Sequence, residues 1–174
     1  DALLALAEFY EKGKYRNAVV DVDLNKSTKY YEKYVNQNHD GDVIFKLAKM
    51  LLEVQNFSKA IKYYELAATD YGIKAAYMSL GSIYESGLNR VDEYGNKSDY
   101  VVPIDLDKAM MWYKKLADTG DAKAKASYER VEYMSTHGDS LEFEEKDKLY
   151  TDIAEARKAK GKEPRYKVIE ASRL

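Results

Sequence analysis

The sequence predicts an all-α fold, a right-handed superhelix (solenoid) of about three helix-pair repeats followed by a C-terminal pair of capping helices. Two observations predict it. A helical motif recurs along the chain, and one class of connection holds all the length variation between its copies. A chain of 174 residues is long enough to bury one continuous core shared by such repeats.

One helix of each predicted pair begins with a lysine that is followed, four residues later, by two adjacent aromatic residues. The copies cover residues 26–42, 59–74 and 108–123, with the aromatic pairs Tyr30 and Tyr31, Tyr63 and Tyr64, and Trp112 and Tyr113. Apolar residues at spacings of three and four make each copy an amphipathic helix. We call these the B helices. We expect them to end near Gly41, Gly72 and Gly120, because glycine adopts the left-handed conformation that closes a helix.

A second helix precedes each B helix, and we call these the A helices. Their predicted ranges are 2–13, 43–54 and 76–87, with Leu6, Leu47 and Leu80 in register and the small residues Ala7, Ala48 and Gly81 directly after them. A small residue there lets a neighbouring helix come close. The spacing from each B helix to the next A helix is nearly constant, so the variable A-to-B connections all lie on one edge of the array.

These spacings predict the organisation of the chain. Repeat 1 covers residues 1–42, repeat 2 covers 43–75, and repeat 3 covers 76–123 with a long loop at 88–104. Residues 124–160 are predicted to form the capping helices, with a fourth A-type helix at 122–135 and a closing helix at 140–160. Gly161 and Pro164 stop the closing helix, and 161–174 is predicted to be a tail.

The third unit resembles the Sel-one-like repeat, a subclass of the tetratricopeptide-repeat superfamily. The residues that match its signature are Ala76, Leu80, Gly81, Tyr84, Gly87, Asp105, Lys108, Ala109, Trp112, Tyr113, Ala117, Gly120, Asp121 and Ala122. The first unit departs from the signature at Ala7 and Ser27, and the second lacks the loop glycine. The resemblance extends from about residue 2 to about residue 135.

The sequence lacks the usual signatures of catalysis and cofactor binding. No Gly-Xaa-Gly occurs, so both the dinucleotide fingerprint and the phosphate loop are absent. The nucleophile signatures Ser-Xaa-Xaa-Lys and Gly-Xaa-Ser-Xaa-Gly are absent too. There is no cysteine, and the two histidines, His39 and His137, lie in predicted turns. We therefore expect no enzyme activity, no cofactor and no metal.

Charge and hydropathy give no partner class. The chain has 28 basic and 30 acidic residues, so no overall field attracts nucleic acid or an anionic membrane. No apolar run approaches the roughly 20 residues of a membrane helix, so we expect a soluble piece without a membrane span. The chain begins at Asp1 without a signal-peptide pattern, and we expect it to be a processed or cut piece.

The resemblance implies a non-catalytic scaffold that binds a protein or peptide partner. In such superhelices the A helices line the concave face. Side chains outside the core register would then face the groove, and we expect the partner-binding residues there to be Glu8, Glu11, Lys46, Lys49, Ser82, Glu85, Arg130 and Tyr133. The alternative is that these residues form a merely solvated helix face.

The segment 88–103 is a second candidate binding site. It carries Tyr94, Tyr100, Val101 and Val102, a large apolar content for an exposed loop. It either packs back on the edge of the solenoid or contacts a partner.

A glycan is the alternative class of partner. The chain has 17 tyrosines against four phenylalanines. This ratio favours half-buried rings at shallow interfaces, and the alternative is a groove in which rings stack on sugars. The resemblance favours the bacterial envelope or secretion over the cytoplasm. An exposed aromatic strip would favour sugar, and charged walls poor in aromatic residues would favour peptide.

Overall fold

A computed structural model describes residues 1–137 of the chain, in which seven helices and two antiparallel two-stranded sheets follow one another. The helices are α1 (Ala2–Lys12), α2 (Leu24–Gln37), α3 (Gly41–Glu53), α4 (Phe57–Thr69), α5 (Lys74–Ser86), α6 (Leu106–Ala117) and α7 (Ala122–His137). The strands are β1 (Lys14–Tyr15), β2 (Ala18–Val19), β3 (Leu88–Val91) and β4 (Lys97–Val102). The predicted closing helix at 140–160 and the predicted tail at 161–174 lie outside the described residues.

The chain divides into two compact units, Asp1–Val131 and Glu132–Leu174. In the first unit α1 packs on α2, α3 on α4, and α5 on α6, and contacts between α2 and α3 and between α4 and α5 join successive pairs. This arrangement confirms the predicted all-α repeat solenoid. Of the second unit the structure describes only residues 132–137, the end of α7.

Aspartate side chains cap the N-termini of α2 and α6, the B helices of repeats 1 and 3. Asp23 accepts a hydrogen bond from the backbone N–H of Lys26, and Asp105 accepts one from that of Lys108, each over 2.9 Å. Such caps satisfy N–H groups that have no partner within the helix. The same chemistry therefore fixes the start of α2 and of α6.

The glycines differ in what they do. Gly72 and Gly120 lie in the left-handed region, with φ of 64° and 92°, as predicted for residues that follow a B helix. The prediction that Gly41 ends the first B helix is wrong: α2 ends at Gln37, and Gly41 is the first residue of α3. A Cβ atom at Gly41 would lie 2.7 Å from Cβ of Tyr71, so close packing explains this glycine.

The core lies between the paired helices. The second aromatic residue of each B helix, Tyr31, Tyr64 or Tyr113, is buried. A Cβ atom at Gly81 would overlap the ring of Tyr113, which confirms the expectation that a small residue at this position permits close packing. Leu47 and Leu80 are fully buried, whereas Leu6, at the same place in α1, is 39% exposed.

The two sheets are β-hairpins in the A-to-B connections of repeats 1 and 3. Gly13 and Gly87 end the preceding helices with φ of 71° and 66°, and each hairpin begins at the next residue. The segment predicted as the long loop 88–104 is thus largely the hairpin β3–β4. Its two ends, Leu88 and Val102, pair with each other and pack against the core.

Candidate functional site

The β3–β4 hairpin is fixed to the preceding repeat by Gln55, which lies between α3 and α4. The side chain of Gln55 accepts a hydrogen bond of 2.7 Å from the backbone N–H of Val91 and donates one of 2.8 Å to its carbonyl oxygen. Arg90 donates to the carbonyl oxygen of Gln55 over 3.2 Å, and its guanidinium lies 5.6 Å from the ring centroid of Phe57. Gln55 therefore pairs with the backbone of β3 much as another strand would.

Asp92 orders the tip of the same hairpin. Its Oδ1 accepts hydrogen bonds from the backbone N–H groups of Tyr94, over 2.9 Å, and Asn96, over 2.8 Å. Its Oδ2 accepts one of 2.9 Å from the side chain of Asn96. These bonds, that of the Asn96 side chain first, hold the pKa of Asp92 below its ordinary value. The tip therefore has a defined conformation although it is exposed.

The outer surface of the hairpin presents apolar side chains to solvent. Tyr94 is 82% exposed and Tyr100 is 52% exposed, and Val91 and Val101 are also exposed. The ring of Tyr100 lies against Gly87, where a Cβ atom would come within 2.7 Å of it. Within residues 1–137, β3 is the only strand that pairs with β4, so one edge of β4 has no neighbouring strand. Sequence reasoning singled out Tyr94 and Tyr100 but missed Val91.

A network of hydrogen bonds and charges joins the first repeat to the second. The hydroxyl group of Tyr31 donates to Oε2 of Glu11 over 2.7 Å, and Nζ of Lys46 lies 2.8 Å from the same oxygen. Nζ of Lys46 also lies 5.0 Å from the ring centroid of Tyr31. Burial acts to raise the pKa of Glu11, but the bonds from Lys46 and Tyr31 outweigh it and lower that pKa. Burial, and then Glu11, raises the pKa of Tyr31.

The third repeat has the same arrangement with an arginine as the cation. The hydroxyl group of Tyr113 donates to Oε2 of Glu85 over 2.8 Å. Arg130 donates to the same carboxylate from Nε over 3.1 Å and from Nη2 over 2.7 and 2.6 Å. The side chains of Arg130 and Glu85 are only 9% and 10% exposed. A guanidinium that donates to both oxygens of a carboxylate makes a strong and directional ion pair.

Four of the ten predicted partner-binding residues, Glu11, Lys46, Glu85 and Arg130, therefore bind one another in the fold. The rest lie elsewhere. Ser82 and Lys49 are exposed, with Lys49 over the ring of Phe45, and Glu8 lies 3.8 Å from Lys12.

Tyr133 belongs to the second unit. Its ring stacks on that of His137 with centroids 4.2 Å apart. The prediction of a turn at His137 is wrong, since His137 is the last residue of α7.

Neither a metal cluster nor a membrane-spanning helix occurs in the described part of the chain. Within residues 1–137, no group of three or more His, Cys, Asp or Glu side chains is placed to hold a metal ion. No helix in that range combines the length and the apolar character needed to cross a bilayer.

Comparison with protein-family models gives a match to the Sel1 repeat over residues 1–39, 45–70 and 74–121. The first segment contains α1 and α2, the second α4 and most of α3, and the third α5 and α6. No match to the chain was found among the curated proteins. The family match therefore follows the three helix pairs of the fold.

Proposed function

Because the chain belongs to the Sel1 repeat family, we propose that it is a scaffold without catalytic activity of its own, which binds an extended segment of a partner protein along the β3–β4 hairpin. Sel1 repeats are generally protein-interaction scaffold modules. The observation that carries the proposal is the combination of a firmly held hairpin with exposed apolar side chains, above all Tyr94 and Tyr100.

The hairpin suits binding because it is ordered before a partner arrives. Gln55 holds one side of it and Asp92 closes its tip, so little conformational entropy is lost when a partner docks. Tyrosine also contributes a large, rigid contact area with a polar hydroxyl group, and it is enriched at protein interfaces. Burying Tyr94 and Tyr100 against a partner would remove apolar surface from water.

The open edge of β4 favours an extended segment as the bound form. A strand without a neighbour presents unpaired backbone N–H and C=O groups. A partner segment that adds to such an edge gains main-chain hydrogen bonds, and side chains beside the edge select its sequence. Tyr100 and Val101 are adjacent in β4 and half exposed, so they would supply that selection from the two faces of the hairpin.

The helical residues would make smaller contributions. Glu11, Lys46, Glu85 and Arg130 have their charges paired within the fold. Of the predicted residues on the A helices, we expect Glu8, Lys49 and Ser82 to provide polar contacts around a bound segment.

Selection from a displayed library of random peptides tests this proposal. The baits are the parent chain, a hairpin variant with Tyr94→Ser and Tyr100→Ser, and a control with Tyr15→Ser and Val19→Ser. The control removes a tyrosine and a valine of comparable exposure from β1–β2.

We expect the parent and the control to enrich a shared set of peptides that the hairpin variant does not enrich. Equal enrichment of every selected peptide by all three baits would contradict the proposed site. Failure of the parent to enrich any peptide, together with retention of the parent on a glycan array, would replace the protein partner by a glycan.

A further inference from the structure

A cleft of about 610 Å³ lies along the B helices of repeats 1 and 2, lined by side chains of α2 and α4 and by Tyr10 of α1. Five lysines line it: Lys26, Lys29, Lys33, Lys59 and Lys62. Glu32 is the only acidic residue among the described residues of its lining. The cleft is therefore strongly basic, although the charges of the whole chain are almost balanced.

Most of this positive charge has no compensation within the fold. Two of the five lysines are paired: Nζ of Lys59 lies 2.9 Å from one carboxylate oxygen of Glu32 and 3.1 Å from the other, and Nζ of Lys26 lies 3.7 Å from Oδ2 of Asp23. In the described part of the chain, Lys29, Lys33 and Lys62 form no ion pair. Because like charges gathered in one cleft repel each other, a negatively charged ligand is stabilised there.

Two of the cleft lysines lie over tyrosine rings. The rings of Tyr10 and Tyr30 are stacked, with centroids 5.7 Å apart and planes 3° from parallel. Nζ of Lys26 lies 5.2 Å from the ring centroid of Tyr10, and Nζ of Lys33 lies 5.7 Å from that of Tyr30. The cleft thus offers aromatic faces beside its ammonium groups, so it can take an apolar side chain next to an anionic one.

The cleft is elongated. Its lining residues on α2 run from Lys26 through Lys29, Tyr30 and Lys33 to Asn36, a spacing that places them along one face of the helix. Ten residues of α-helix span about 15 Å. An extended peptide of four or five residues has about the same length. The lysines on this face, from Lys26 to Lys33, spread over about 10 Å of the helix, too far for one phosphate group or one carboxylate to bind them all, so a ligand with several separated negative charges fits best.

We propose that this cleft binds an acidic peptide segment, whose carboxylates pair with the lysines while an apolar side chain lies on the tyrosines. An ammonium group is a compact point charge with three rotatable donors on a flexible stem, so the lysines can adjust to carboxylates at several positions along a peptide. A polynucleotide would meet the carboxylate of Glu32 within the row of lysines, which favours a peptide whose charges are spaced. The proposal goes beyond the hairpin function, because the cleft shares no residue with β3–β4.

Selection of random peptides of about eight residues tests the cleft, with four baits. The first is the parent, and the second is a cleft variant carrying Lys29→Glu and Lys62→Glu. The third is a control carrying Lys14→Glu and Lys123→Glu, which makes the same change of net charge at exposed lysines outside the cleft. The fourth carries Tyr94→Ser and Tyr100→Ser on the hairpin.

We expect peptides rich in Asp and Glu from every bait except the cleft variant. The most enriched peptide, labelled with a fluorophore, should bind the cleft variant at least about tenfold more weakly than the parent, and the control within about twofold. Its affinity should also fall as salt rises. Retention of this peptide by the hairpin variant separates the cleft from the hairpin site.

The proposal is overturned if the parent selects no acidic peptides, or if the cleft variant binds the selected peptide as tightly as the parent does. It is also overturned if single-stranded DNA or heparin binds the parent more tightly than the peptide does and is lost from the cleft variant. That last result would assign the cleft to another class of polyanion.

Discussion

The hydroxyl group of Tyr113 donates a hydrogen bond of 2.8 Å to the carboxylate of Glu85. Tyr31 and Glu11, at the same positions of the first repeat, make the same bond over 2.7 Å. In both repeats a cation on the first helix of the following unit also binds the glutamate. Each network of tyrosine, glutamate and cation therefore joins a helix pair to the next helix, α1 and α2 to α3 in one case and α5 and α6 to α7 in the other.

The two networks should differ in strength because their burial differs. Arg130→Met would leave Glu85 as an uncompensated charge that is nearly buried, and we expect it to lower the free energy of unfolding by about 3 kcal/mol. Lys46→Met should cost about 1 kcal/mol, because Lys46 and Glu11 are 35% and 24% exposed and water screens the pair. Urea unfolding measures both values.

Lys123→Met is the matched control for these two variants, since Lys123 is exposed on α7. It should change stability by less than about 0.5 kcal/mol. Adding Glu85→Gln to Arg130→Met should restore part of the loss, because the buried charge is then gone. Equal losses for Arg130→Met and Lys46→Met would contradict the difference in burial as the cause.

Glu11 should make stability depend on acid pH. Its pKa in the folded chain lies below the ordinary value of 4.5, so the unfolded chain binds more protons between the two values. The contribution of Glu11 to stability is complete above its unfolded pKa and is lost as pH falls through the folded pKa. Between about pH 5 and pH 3 the parent should therefore lose more of its free energy of unfolding than Glu11→Gln does. Parallel curves for the two proteins would exclude this role.

Gly81 should be intolerant of any side chain. A methyl group there would overlap the ring of Tyr113, which is itself fully packed. We expect Gly81→Ala to lower stability by about 1 to 3 kcal/mol, measured by thermal unfolding. Ser82→Ala, at the next and exposed position, should have little effect. A Gly81→Ala variant as stable as the parent would show that the two helices can separate at no cost.

Gln55 should control the mobility of the hairpin. Gln55→Ala removes the acceptor for the backbone N–H of Val91 and the donor to its carbonyl oxygen. We expect the amide hydrogen of Val91 to exchange about tenfold faster in this variant, while helix amides such as that of Leu47 keep their rate. Amide exchange followed by NMR measures this. Unchanged exchange at Val91 would mean that the hairpin is held by its base alone.

The helix pairs could be predicted from the sequence because their signal repeats. The predicted A helices agree with α1, α3 and α5 to within two residues at each end. The role of Gly41 could not be predicted in this way. Glycine occurs both in left-handed turns and where helices pack closely, and the sequence does not distinguish these two roles. Tyr71, which explains Gly41, lies in the next repeat.

The ionic networks were only partly visible in the sequence. Glu11 and Glu85 occupy the same place in their repeats, as do Tyr31 and Tyr113, so their contact could have been found by superposing the repeats. The cations could not be found by superposing the repeats, because Lys46 lies 15 residues after Tyr31 whereas Arg130 lies 17 residues after Tyr113. Their contacts depend on how successive repeats pack.

The hairpin and the basic cleft depend on tertiary contacts. The apolar content of 88–103 indicated a special segment, but the contact of Val91 with Gln55, 36 residues earlier, appears only in the fold. The basic cleft forms because packing brings together side chains of α1, α2 and α4, and the sequence of no single one of these helices indicates a cleft.

Amide hydrogen exchange of the parent, with and without a peptide selected through the hairpin, tests the central claim most directly. The proposed function predicts slower exchange in β4, along Lys97–Val102, and at Tyr94, with little change in α1 and α2. Protection confined to the helices, with β4 unchanged, would contradict the assignment of the hairpin as the site that binds the partner.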